Sequence, residues 1–261
     1  MTIVKHELRQ GRNSFLIWTA SIGFLVAVCI FLFPEMKEQM EGVSDIFSSM
    51  GSFTAAFGMD RLSFGTLMGF YSIECGNILG LGGAFFASFC AVSILSREEK
   101  DKTAEFLLAH PVNRTGVVTE KLVAVLLQIT LMNLLIYALS ACCIAAIGEE
   151  LPWKEFNLLH LAFYLMQLEL AGICFGISSF LRRGSIGIGL GIASMMYFVN
   201  IIANVTESVD FLKYVTPFGY CEAADILADG RLDTQMVLIG LLLGVIGIVC
   251  AYVIYSKKDI H

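Results

Sequence analysis

Two carboxylates in this sequence stand where carboxylates are expensive. Glu169 lies near the middle of an apolar run from Phe156 to Leu181, and Glu74 lies just before another, Cys75 to Ser96. An ionisable side chain at the centre of a hydrocarbon layer costs roughly 3 kcal/mol on insertion scales, so each acid needs a compensating role. For Glu169 two roles are open. It could line a path for a solute or ion, or it could anchor a hydrogen bond inside a helix bundle, to Gln167 or to an Asn on a neighbouring helix. Glu74 could reach water from the end of its run. Both are candidate pathway residues, whereas Asn133 and Asn200 suit contacts between helices.

Few other residues are arranged for chemistry. No Lys follows a Gly, so the phosphate-cradling loop G-x-x-x-x-G-K-[ST] is missing and the chain is not expected to hydrolyse ATP. His6, His110, His160 and His261 are isolated, with no H-E-x-x-H, and His160 has no G-x-S-x-G to accompany it. Seven of the eight Cys fall in apolar runs and none forms C-x-x-C, which suits buried thiols. We therefore expect no catalytic residues, no metal and no cofactor on this chain.

The elements that must position these residues are apolar helices. The chain has 261 residues, 57% of them hydrophobic and 15% charged, and its mean hydropathy is +0.76. A soluble domain of this length could not bury so much apolar surface, so an all-α membrane protein is predicted. Six runs approach the roughly 20 residues that cross a bilayer: about 13–34, 70–96, 121–148, 156–181, 184–206 and 234–256, in one domain over 1–261. The first is too long, and too charged beyond its end, for a cleaved signal peptide. If the N-terminus is inside, twelve of the seventeen Lys and Arg face the cytoplasm and five, at positions 37, 61, 154, 213 and 231, face out. The positive-inside rule then predicts that both termini are cytoplasmic. No nucleic-acid partner is expected: the net charge of -6 argues weakly against one, although in a membrane protein the placement of charges matters more than their sum.

Between the spans, residues 1–12 suit a short amphipathic helix on the inner membrane surface, and Ile46, Phe47, Met50 and Phe53 suit an amphipathic helix outside. Gly76 with Gly80, Gly172 with Gly176, Gly187 with Gly191 and Gly240 with Gly244 are spaced for close helix approach. Packing inside one bundle is the expectation, ahead of a dedicated dimer seam.

The cytoplasmic segment 96–116 holds the densest pattern. Ser96 and Glu99 have capping-box spacing and Pro111 stops a helix. Thr103, Ala104, Leu107 and Leu108 give that amphipathic helix a small apolar face. Such a face could dock a cytoplasmic partner or rest on the bilayer. The sequence Arg97-Glu98-Glu99, then Thr103, Glu105, Leu107, Leu108, Pro111 and Arg114, then Glu120-Lys121, resembles the coupling region of type-2 ABC-transporter permeases, with Lys102 where that family usually has Gly. Thr216-Pro217-Phe218 resembles the family's S-P-F, and Lys257-Lys258-Asp259-Ile260 its basic ending.

The resemblance implies a coupling helix between the second and third spans, seated through Arg97, Glu98, Glu99, Thr103, Glu105, Leu107, Leu108, Pro111 and Arg114 on a separate cytoplasmic ABC ATPase that binds ATP and Mg. It implies short outer helices within 207–233 that do not fully cross, and a second permease subunit, identical or different, completing the pathway. The function implied is the membrane subunit of an ATP-driven transporter, an exporter by family likeness, multi-pass in a prokaryotic plasma membrane. The alternatives are an ion-coupled secondary carrier using Glu169, and a polytopic membrane enzyme or sensor.

Overall fold

The computed structural model describes residues 2–39, 54, 61–100, 113–181 and 185–258. The expected outer helix around Ile46 to Phe53 lies outside these residues, as do Thr103, Glu105, Leu107, Leu108 and Pro111.

Among the described residues six helices are long and apolar enough to cross a membrane, and no strand occurs. The first, α1 (Thr2–Gln39), runs unbroken for 38 residues, about 57 Å at 1.5 Å per residue. The separate surface helix expected over 1–12 is therefore the opening of α1. Its first turns stay helical because they have partners: the Ile3 and Val4 amides donate to Glu120 at 2.9 and 3.2 Å, and Val4 and Glu7 are buried. An acid placed at a helix N-terminus satisfies orphan amides and complements the dipole.

The second span, α2 (Leu67–Val92), is capped by Thr66, whose hydroxyl accepts from the Gly69 amide at 3.2 Å. It widens into one π-helical turn at Tyr71–Cys75, which carries Glu74. A turn over 93–96 leads to α3 (Arg97–Lys100). Helix α3 starts directly after Ser96, where the spacing predicts, but without the capping box. The Ser96 hydroxyl donates back to the Ser93 carbonyl at 3.3 Å, and Glu99 pairs elsewhere. Helix α4 (Arg114–Ala146), capped by Asn113, begins well before the uncharged run because Glu120 and Lys121 have partners inside the protein.

Helices α5 (Trp153–Phe180) and α6 (Ile186–Val205) follow. Two 3-10 helices, Glu207–Tyr214 and Gly219–Cys221, and α7 (Ala223–Asp229) then make up the expected short, non-crossing segment. Gly230, with φ of 60°, closes α7 in the left-handed conformation. Asp233 caps α8 (Thr234–Lys257) by accepting from the Gln235 and Met236 amides.

Helices α2 and α5 form the centre, with 67% of each apolar window buried against 17–33% for the other four. Helix α5 packs on α2, α4 and α8, and α1 packs on α4 and α2. The outer helices turn large apolar side chains such as Phe24, Leu134, Phe198 and Leu242 away from the protein, as a lipid-facing surface requires. The α5–α8 seam is where two small-residue pairs meet. A Cβ on Gly172 would stand 2.5 Å from the Gly244 carbonyl oxygen, and one on Gly176 would stand 2.7 Å from that of Gly247. These pairs pack one bundle, as expected. Gly191 differs, since a Cβ there would meet nothing within 4 Å.

Candidate functional site

The helix termini bring the coupling-motif charges together at one end of the bundle. Lys121 of α4 is fully buried, and an ammonium there is tolerable only if paired and hydrogen-bonded. Its Nζ donates to Glu7 Oε1 of α1 at 2.9 Å and to the Ile94 carbonyl at 2.5 Å, and it forms an ion pair with Glu98 Oε1 of α3 at 2.5 Å. Arg97 closes the group, donating to Glu7 Oε2 at 2.8 Å and Gln10 Oε1 at 3.1 Å. Two cations thus face two anions, with Glu7 only 2% exposed.

A second clamp adjoins the first. Lys258, just past α8, pairs with Glu99 at 2.7 Å and donates to the Leu181 carbonyl at 2.8 Å. Arg114 donates to the carbonyls of Lys258 and Ser256 at 2.7 and 3.3 Å. The Leu95 amide donates to the Ser178 hydroxyl of α5 at 2.9 Å. Helix α3 and the turn before it are therefore fastened to α1, α4, α5 and α8, and the first turns of α1 and the residue after α8 lie at the same end of the bundle.

The structure thus brings Arg97, Glu98, Glu99 and Arg114 together. It turns the two Glu side chains inward, to 17% and 10% exposure, rather than outward. With Arg97, Lys121 and Lys258 each paired to a carboxylate and Arg114 bonded to backbone carbonyls, this arrangement suits mechanical fastening, not proton transfer. Sequence reasoning missed Glu7 as the hub of the cluster. An acid among Lys5, Arg9 and Arg12 reads as part of a solvated face, and nothing local says that it meets α4.

Glu169 is placed apart from this cluster, buried at 2% exposure between α5, α8 and the short helices. Its carboxylate accepts from the Tyr220 hydroxyl at 2.9 Å and occupies the space that a side chain on Gly240 would need. The expected partners are otherwise engaged, since Gln167 and Asn133 exchange amide hydrogen bonds at 2.7 and 3.4 Å. Tyr220 was the missed residue, since it comes from a segment whose fold the apolar pattern does not specify. Glu74 is half-buried on the π-helical turn, and the structure does not bring it together with Glu169. His160 is buried against Phe156, with Nε2 2.9 Å from the Tyr71 hydroxyl. Among the described residues no group of three His, Cys, Asp or Glu side chains is placed to hold a metal ion.

A search of curated proteins returns no match. The family model for ABC-2 family transporter proteins, in contrast, matches residues 1–260, nearly the whole chain. The chain is a multi-pass membrane component of the ABC-2 transporter family.

Proposed function

We propose that this chain is the permease subunit of an ATP-driven exporter in a prokaryotic cell membrane, supplying half of the translocation pathway. Two permeases, identical or different, work with two cytoplasmic ATPases that bind the ATP and Mg. The end carrying Arg97, Lys121 and Lys258 faces the cytoplasm, which is the side favoured by the distribution of Lys and Arg. The ATPase seats on the segment from Arg97 to Arg114, with Glu105, Leu107 and Leu108 as its contacts. The observation that carries this reading is the fastening of α3 to four spans. ATP-driven closure pushes the coupling segment, and the ion cluster passes that movement to α1, α4, α5 and α8, so that the bundle switches between inward-open and outward-open states. Family membership favours this mechanism over an ion-coupled carrier built on Glu169.

The test is coexpression with the ATPase encoded beside the gene. Glu105→Lys combined with Leu108→Asp should abolish copurification of the ATPase and substrate-stimulated ATP turnover while the permease still inserts and folds. Intact copurification and turnover would refute the docking segment.

A further inference from the structure

A cavity of about 60 Å³ lies between α2, α6 and the short helices, at the end of the bundle away from the charge cluster. A single water needs roughly 10–15 Å³ of such space, so there is room for more than one atom but not for a whole drug molecule. Its polar lining is unusual for a span interface. Ser72 and Asn200 are 4% and 8% exposed, both line the cavity, and neither Ser72 Oγ nor Asn200 Oδ1 has a hydrogen-bond partner. Buried polar atoms are rarely left unpaired unless a ligand or water completes them. Glu222 lines the same cavity, and its Oε2 accepts from Asn204 Nδ2 at 2.9 Å. The remaining wall includes the rings of Phe163 and Phe218.

We propose that this cavity binds a protonated primary amine, an ammonium group on a short carbon stem, received by Ser72 Oγ, Asn200 Oδ1 and the Glu222 carboxylate. Three acceptors match the three N–H donors of an ammonium, whereas a water has only two and brings no charge to the carboxylate. The aromatic walls suit the carbon stem and attract a cation through their faces. Burial pushes the Glu222 carboxyl above its ordinary range, with Asn204, Lys213 and Arg61 partly offsetting this and Asp225 adding to it. A carboxylate held in that way gains from a cation brought beside it. Arg61 is not that cation, since it pairs with Asp225 at 2.7 Å. An anion is disfavoured by the Glu222 carboxylate in the wall. The site does not depend on the proposed coupling to an ATPase, because binding is measured on the permease alone.

The amine could come from solution or from the headgroup of an ethanolamine lipid. The full chain, purified in detergent, is titrated with ethylammonium chloride and, at matched ionic strength, with tetramethylammonium chloride, while its unfolding temperature is followed. Ethylammonium should raise that temperature saturably. Tetramethylammonium, which has no N–H donor, should not. Ser72→Ala and Asn200→Leu should each raise the half-saturating concentration at least about tenfold, a loss of roughly 1.4 kcal/mol of binding. Ser72→Ala removes a hydroxyl that makes no bond, so its fold is retained even if Asn200→Leu fails to fold. Equal responses to the two salts, or unchanged half-saturation in Ser72→Ala, would overturn the proposal. In nanodiscs, a tenfold higher half-saturation with ethanolamine than with choline lipids assigns the site to the headgroup, and equal values assign it to a soluble amine.

Discussion

Replacing Lys121 with Met tests whether the buried charges are a structural fastening. The side chain keeps its length and apolar stem but loses the cation. In the parent, Glu7 and Glu98 face Arg97 and Lys121 in balance. In Lys121→Met, Glu98 loses its cation, Glu7, only 2% exposed, keeps Arg97 alone, and the Ile94 carbonyl loses its donor. Breaking a buried pair from one side costs about 3–5 kcal/mol. In Glu7→Leu, Lys121 keeps Glu98, and the loss of charge-assisted hydrogen bonds costs about 1.5–3 kcal/mol. The double variant restores the balance of charge, leaving one cation, Arg97, and one anion, Glu98, which is 17% exposed and open to water, so its remaining deficit is chiefly the unsatisfied Ile94 carbonyl, about 1–3 kcal/mol. It should therefore be more stable than Lys121→Met alone by about 2 kcal/mol. Unfolding in mixed micelles by rising SDS fraction, followed by circular dichroism, gives the four free energies of the cycle. Additive losses, or a Lys121→Met penalty below about 1 kcal/mol, would refute the burial argument.

Glu169→Gln keeps an acceptor for Tyr220, so its stability should stay within about 1 kcal/mol of the parent while transport falls. Normal transport by a folded Glu169→Gln protein would remove this residue from the pathway. Tyr220→Phe, which leaves a buried carboxylate without its donor, should cost about 1–3 kcal/mol in the same SDS titration. Gly172→Ala forces a methyl against the Gly244 backbone and should cost about 1–3 kcal/mol, whereas Gly191→Ala meets nothing and should stay within about 0.5 kcal/mol; a large loss at Gly191 would instead show that a second subunit packs there. Thiols introduced at positions 100 and 257 of a cysteine-free parent should be labelled from the cytoplasm and those at 40 and 229 from outside, and external labelling at 100 would overturn the proposed orientation.

What could be read from sequence was set by the range of the forces involved. Apolar run length announces a span because lipid acts on each run separately, so the six helices were legible. The same rule misplaced the helix start at Glu120 and Lys121, because it ends a helix at the first charge, whereas Lys121, paired with Glu7 and Glu98, is held buried inside the helix. Gly172 and Gly244 were legible as small residues but not as neighbours, since spacing along one helix says nothing about which helix faces it. Glu169 was legible as a cost, and its partner Tyr220 was not. The hydrogen bond spans 51 residues, and the donor sits on a 3-10 turn without periodic signature. The expected surface helix at the N-terminus failed for a related reason, as its amphipathic face turns to Glu120 and α4 instead of lipid.

Within the proposed function, the coupling motif divides its labour by residue type. Arg97, Glu98 and Glu99 direct their charges into the bundle, so a partner gains little electrostatic contact from them. One buried and two partly buried carboxylates around a buried ammonium would be costly as a recognition surface, because each docking event would have to compete with pairs already formed at 2.5 to 2.9 Å. As a joint, the same groups are economical. An ion cluster shared by four helices has few alternative arrangements of similar energy, so a displacement of α3 moves its partners with it instead of being absorbed by side-chain rotation. Recognition then falls to the apolar pattern of Leu107 and Leu108, which is where a substitution should uncouple the ATPase without loosening the bundle. Substitutions at Lys121 or Glu7 should do the reverse, weakening the permease whether or not an ATPase is bound.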